Sequence, residues 1–226
     1  MITASETLDP VDNPLFQELK DIASGDPNFI GTLQVVEIAF SKIPSLHVIS
    51  KVHNLIELTL LHTSLPSLRG IEAIGHSLQR LTVISGCCEP SQQLQNFESV
   101  FLELHELRFL NLGENHISKI ENLTNCTKLE QLFLYHNAVK RIEGLENCLR
   151  LEELNLSCNK IRKVENIGNM LVNLKILLLS ANKIEYFEDI NEISQLPRLQ
   201  KLSFCCENFG ECPVTEINNY REYVLS

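Results

Sequence analysis

The chain lacks most of the patterns that catalysis, membrane insertion or nucleic-acid binding would demand. It has no Gly-rich phosphate loop, no GxSxG elbow, no kinase signature and no HExxH pair. The backbone cradles, activated nucleophiles and metal-ligand spacings behind those chemistries are therefore missing, and an enzyme is not expected. No apolar run approaches the roughly 20 residues that a membrane-spanning helix needs. Basic residues are also scarce: 19 Lys and Arg stand against 29 Asp and Glu, a formal net charge of −10. A surface of that sign repels phosphate backbones, so direct nucleic-acid binding is not expected, whereas a basic protein partner stays open. The amino-terminal MITASETLDPVDN has no basic region followed by an apolar stretch, unlike a secretory signal. A cytoplasmic location is expected, with nucleus and cilium or flagellum as alternatives. The eight Cys are then reduced thiols, and the sequons starting at Asn122, Asn125 and Asn155 are accidental.

What the chain does have is repetition. LRFLNLGENHISKIENLTNCTK, LEQLFLYHNAVKRIEGLENCLR and LEELNLSCNKIRKVENIGNMLVN begin at Leu107, Leu129 and Leu151. Each carries apolar residues at places one, four, six, eleven, fourteen and seventeen, and Asn at place nine. Weaker units begin at Leu33, Leu55, Leu78, Leu174 and Leu199, mostly 22 or 23 residues apart. The exceptions are 29 residues from Leu78 to Leu107 and 25 from Leu174 to Leu199. Self-similarity at a fixed period means a solenoid, in which each unit completes its neighbour's core.

The pattern within one unit predicts its path. In LxxLxL the second and third Leu point inward from a short strand, and the residues between them face out. The ninth-place Asn (Asn115, Asn137, Asn159, Asn182) follows the strand, where a side-chain amide can satisfy turn backbone groups that no strand reaches. The later apolar places are three apart, which suits a 3₁₀ turn or short helix returning on the other face. Ser41, Thr63, Gly86 and Glu207 replace Asn in four units, whose turns should be less regular.

Three regions are expected: a capping helix and lead-in over 1–32, repeats over 33–198 with a convex helical insertion at 89–106, and a last repeat with an incomplete cap over 199–226. Asn13-Pro14 followed by Leu15, Phe16, Leu19 and Ile22 predicts a short amphipathic helix with Pro in its first turn. Leu94, Phe97, Phe101 and Leu104 predict an α-helix in the insertion, with Ser91 as its N-cap. CPVTEINNYREYVLS interrupts the repeat and predicts a terminal helix.

The seven His are dispersed, and neither they nor the Cys have a metal-ligand spacing, so no metal or cofactor is expected. Cys126 and Cys148 occupy place twenty, filled elsewhere by Val52, Ile74, Met170 and Ile193, and read as small core side chains. Cys87-Cys88 and Cys205-Cys206 are neighbours on strands, which places them on opposite faces.

The tandem LxxLxLxxNxIxxIxxL resembles the 22-residue class of leucine-rich repeats. That class is typified by the nuclear regulatory subunit of protein phosphatase 1, the spliceosomal A-prime protein and an axonemal dynein light chain. Pro213, Val214, Tyr220, Arg221, Val224 and Leu225 resemble the class's terminal cap, and NKIEYFEDINEISQLPRLQKL is similar to the leucine-rich-repeat-containing protein nine type. The resemblance implies an α/β leucine-rich-repeat solenoid: a curved parallel sheet on the concave face, 3₁₀ and short helices on the convex face. The class continues past its cap with a further strand, whereas the sequence stops at Ser226. Either the chain is part of a longer protein or its last strand keeps an open edge that invites edge-to-edge self-association.

Function is then expected on the concave sheet, about 34 Å across for eight strands. Places three, five and seven face out there. Phe109, Phe133 and Tyr135 fall on adjacent units, with Ile176 and Leu178 two units further on. Exposed aromatics without a core role are the natural binding anchors, and His136 and Glu153 would form a polar rim. The expected function is a non-enzymatic scaffold that binds a partner protein. The resemblance implies two alternatives: a regulatory subunit of protein phosphatase 1, and a ribonucleoprotein component like the spliceosomal A-prime protein. The third-place column (Val, Glu, Arg, Phe, Gln, Glu, Ile, Lys) lacks the alternation of acidic and aromatic residues found in the phosphatase regulators.

Overall fold

A computed structural model describes residues 13–168 and 170–220. Eight strands form one parallel sheet in chain order: β1 (Val35–Ala39), β2 (Glu57–Leu61), β3 (Arg80–Ile84), β4 (Phe109–Asn111), β5 (Gln131–Phe133), β6 (Glu153–Asn155), β7 (Ile176–Leu178) and β8 (Lys201–Ser203). Every pairing sets like place against like place, from Val35 opposite Glu57 through Arg80 opposite Phe109 to Ile176 opposite Lys201. The long third unit therefore bulges outside the sheet without shifting its register. Leu110, Leu132 and Leu154 have no exposed surface, and neither do the sixth-place Leu112, Leu134 and Leu156. The leucine cadence thus builds one continuous core, because each strand's inward pair lands on its neighbour's.

The turn leaving each strand uses two adjacent places. Place eight is left-handed at Phe40, His62, Glu114, His136, Cys158 and Ala181, with φ between 52° and 57°. Place nine then turns inward. Asn159 Nδ2 donates to the carbonyls of Leu134, Leu156 and Ser157, at 2.8, 3.0 and 3.2 Å, and its Oδ1 accepts from the Val139 N–H at 2.9 Å. Asn115, Asn137 and Asn182 repeat this pattern one unit apart. One side chain thereby satisfies backbone groups of two consecutive turns, which would otherwise be buried unpaired.

The return path crosses the convex side in short 3₁₀ segments such as His47–Lys51 and Ile71–Ile74. Its sixteenth place is again left-handed, and Gly70, Asn122, Gly144 and Asn166 occupy it. At Gly144 a Cβ would lie 2.4 Å from the Ile120 carbonyl oxygen, so packing between coils, as well as φ, demands glycine. The insertion departs from the expected α-helix. It forms two 3₁₀ pieces, Pro90–Gln92 and Ser99–Glu103, and Ser91 lies inside the first instead of capping a helix. Leu94, Phe97, Phe101 and Leu104 are buried all the same. The cause lies at the ladder's break: Gln93 turns inward and donates to the Ser85 and Cys88 carbonyls, an anchorage that a continuous helix would not allow.

At the amino end, α1 (Pro14–Ile22) is capped by Asn13, whose Oδ1 accepts from the Leu15 N–H at 2.8 Å. Leu15 and Leu19 are fully buried where the helix packs on β1 and on the 3₁₀ segment at His47–Lys51. At the carboxyl end the described residues hold a two-stranded hairpin, β9 (Cys205–Cys206) and β10 (Gly210–Glu211), and a 3₁₀ turn at Pro213–Glu216 where a terminal helix was expected. Arg221, Val224 and Leu225 lie outside the described residues.

The hairpin also corrects the ninth place of the last unit. Glu207 is exposed on its loop, and Cys212 fills the vacated ladder position. Its thiol lies 3.0 Å from the Leu179 carbonyl and accepts from the Asn182 N–H at 3.3 Å.

Candidate functional site

The register turns the concave face into rows of side chains. The third-place row runs Val35, Glu57, Arg80, Phe109, Gln131, Glu153, Ile176, Lys201, and the fifth-place row has Asn111, Phe133, Asn155 and Leu178 at its centre. Within these rows the predicted anchors meet. The Phe109 and Phe133 rings lie edge to face at 5.3 Å. The Arg80 guanidinium sits 4.0 Å over the Phe109 ring and 3.5 Å from the Glu57 carboxylate. One face of Phe109 is thus already occupied, whereas Phe133 is half-buried and no cation among the described residues sits on its ring. Glu153 accepts a hydrogen bond from Gln131 Nε2 at 2.7 Å, and its register partner is Ile176, as Asn155's is Leu178. Phe109, Phe133, Glu153, Ile176 and Leu178 therefore share one contiguous, partly exposed patch.

Tyr135 and His136 belong to a second cluster. Tyr135 lies flat over Gly113, where a Cβ would stand 2.4 Å from the ring, and burial pushes its phenol above the usual range. The ring meets Phe209 at 5.9 Å, and the exposed His136 meets Phe209 at 5.3 Å. Phe209 comes from the β9–β10 loop, folded back from the last unit to the fifth. Its carbonyl faces Cys158 Sγ at 3.7 Å. This is a site residue that sequence reasoning missed. A signal did exist: the short polar stretch Glu207-Asn208 and the glycine at 210 suit a hairpin loop of three residues, after which Gly210 opens β10 with a left-handed φ of 94°.

Two expectations about this face change. The seventh place does not point freely outward in the central units, where Gly113 is covered by Tyr135, and Ser157 and Ser180 are each 1% exposed. Small side chains there sink below taller neighbours. Cys87-Cys88 also lie in the turn after β3 and not on a strand.

Cys126 and Cys148 are buried, and burial pushes both thiols up to about 12. Among the described residues, no three His, Cys, Asp or Glu side chains are grouped to hold a metal ion. No helix among them is long and apolar enough to cross a membrane.

Comparison with known proteins agrees with this architecture. The profile of the leucine-rich repeat family matches residues 92–226. Among solved structures, the chain is similar to internalin C2 of Listeria monocytogenes, with a TM-score of 0.69 and 19% identity over 89% of this chain and 91% of that one. A leucine-rich repeat protein of Leptospira interrogans gives a TM-score of 0.51 and 22% identity, over 85% and 57% of the two chains. The Drosophila melanogaster SNF/U2A' complex contains a chain with a TM-score of 0.48 and 22% identity, over 57% and 76%. No curated protein matches the sequence. The family match spans more than half of the chain, and the eight-stranded parallel solenoid accords with it: this chain belongs to the leucine-rich repeat family.

Proposed function

We propose that the chain is a non-enzymatic scaffold that grips another protein through its concave sheet. The observation that carries this reading is the partly exposed patch in which Phe109 and Phe133 on β4 and β5 are joined to Ile176 and Leu178 on β7 across the polar Glu153 and Asn155 of β6. Aromatic and aliphatic side chains clustered on an exposed face and interleaved with polar ones are common anchors of a protein-binding surface. The hairpin lies beside this patch, with Phe209 against Tyr135 and His136.

The fold also decides which residues can test the idea. Tyr135 packs against Gly113 and Phe209, so truncating it would disturb the hairpin along with the surface. Among the described residues, Phe133 and Leu178 hold no hairpin or turn in place, and the Phe133 ring meets its neighbour Phe109 on the same face. The double substitution Phe133→Ala, Leu178→Ala is expected to abolish crosslinked capture of partner proteins from native cells while leaving the melting temperature within a few degrees of the parent, about 1 kcal/mol of stability. Capture that persists unchanged in the double variant would overturn this assignment of the surface.

A further inference from the structure

The charges on the concave face discriminate among partners. On the concave rows, their two borders and the hairpin, the cations are Arg80, Arg108, Lys175 and Lys201. Three of them are already engaged: Arg80 by Glu57 at 3.5 Å, Arg108 by Glu130 at 2.6 Å and Lys175 by Glu152 at 2.8 Å. The carboxylates of Glu37, Glu114, Glu153, Glu207 and Glu211 have no cationic partner among the described residues. The concave face thus combines apolar side chains with carboxylates that no cation of the described residues neutralises. We infer that its partner is a basic polypeptide segment, which lays apolar side chains on Phe133, Ile176 and Leu178 and its lysines or arginines against those carboxylates.

This inference rests on the concave face being the binding surface. The chain itself shows how such a cation is held. Arg80 is sandwiched between the Phe109 ring and the Glu57 carboxylate, a combination of cation–π and ionic attraction. Phe133 and Glu153, diagonal neighbours on β5 and β6, offer the same pair of groups with no internal cation between them. A second aromatic wall, Tyr135 with Phe209, has Glu114 close enough to help raise the tyrosine's ionisation after the larger effect of burial. An acidic segment placed here would set like charges together, and a neutral one would leave the carboxylates without a partner. Opposite charge also steers encounter, so binding should weaken steeply with salt.

A random peptide display library panned against the intact chain tests this directly. Selected peptides are expected to be enriched in Lys and Arg over Asp and Glu, alongside aliphatic residues. In fluorescence anisotropy they should bind at least about fivefold more weakly to Glu114→Gln, Glu153→Gln, and similarly more weakly at high salt. They should not bind Phe133→Ala, Leu178→Ala. Peptides that are neutral or acidic, or insensitive to the two Gln substitutions, overturn the basic preference; if they still fail on the Phe133 variant, the concave reading stands without it. Peptides that bind the Phe133 variant normally overturn the concave reading itself. A library that yields no binder overturns the inference too.

Discussion

Units four to seven and units one to three make the same turn by different means. In the later group Asn115, Asn137, Asn159 and Asn182 form an unbroken column of amides, each joining two turns. In the earlier group the same place holds Ser41, Thr63 and Gly86. Ser41 Oγ reaches Glu18 of α1 at 2.6 Å, and Gln93 of the insertion reaches in to cover for Gly86. Thr63 Oγ1 and the neighbouring His62 Nδ1 are buried without a hydrogen-bond partner among the described residues, where the later group has Ser157 Oγ alone in that state. The hydrophobic stack is equally complete in both groups. What separates them is how buried backbone is satisfied, and a solenoid's stability is local enough for that difference to be felt. The amino-terminal units should open first.

Breaking the column tests the comparison most severely. Asn159→Ala would strip partners from the Leu134, Leu156 and Ser157 carbonyls and from the Val139 N–H. Buried groups left unpaired cost about 1–3 kcal/mol each, with partial relief from relaxation, so a loss on the order of 4 kcal/mol is expected. Urea denaturation measures it. A loss below about 1 kcal/mol would mean that the strands, and not the amides, hold the central units together.

A second test uses pH, because the deeply buried thiols Cys126, Cys148 and Cys212 all lie beyond units one to three. Burial pushes Cys126 and Cys148 up to about 12 and Cys212 up to about 11, from an ordinary 9.0. Above about pH 9 the unfolded chain releases these protons and the folded chain keeps them. Their contribution is therefore complete below that pH and is lost as pH rises through 11 and 12. At about pH 10 the loss should be somewhat above 1 kcal/mol per thiol. Comparing urea midpoints at about pH 8 and pH 10 for the parent and for Cys126→Val, Cys148→Val should show the variant losing about 2 kcal/mol less. Equal losses would show that these thiols ionise without unfolding.

The opposite substitution sharpens the contrast from the weak side. Thr63→Val keeps the shape of the side chain and removes a buried hydroxyl that has no partner. It should stabilise the chain by about 1 kcal/mol. Hydrogen exchange should place the added protection in units one to three. No gain, or a gain spread evenly along the solenoid, would indicate that the hydroxyl is satisfied in solution.

Much of this contrast could be read before the fold was seen. Leucine spacing dictates strands, register and core, because burying the fourth and sixth places of each unit permits one stacking. The Asn column was legible for the same reason: a recurring amide beside a strand end has few other uses. The compensations were not legible, since each depends on a side chain arriving from elsewhere in the sequence. Cys212 replaces Asn through a hairpin, and Gln93 covers for Gly86 by breaking a stretch whose apolar period suited an α-helix. Phe209 reaches Tyr135 across three units, so pattern alone gave that tyrosine too open a setting. Local period specifies the repeat, and long-range contacts specify its exceptions.

The smallest expected effect concerns the left-handed place eight, which the two groups share. Phe40 and His62 hold it in the early units, and Glu114, His136, Cys158 and Ala181 in the later ones. For an L-residue this conformation costs about 1–2 kcal/mol, which glycine escapes. Glycine in turn loses about 0.5–1 kcal/mol more backbone entropy on folding than alanine does. At Ala181, with φ 53°, the first effect should win narrowly, since the side chain is a lone methyl on a partly exposed turn. Ala181→Gly is thus expected to raise stability by about 0.5 kcal/mol, seen as a small rise in urea midpoint with unchanged slope. His136→Gly should gain less, because it also loses the ring contact with Phe209. If both variants lose stability equally, contacts and not backbone strain govern this place, and the early units' bulky Phe40 and His62 would be no handicap to them.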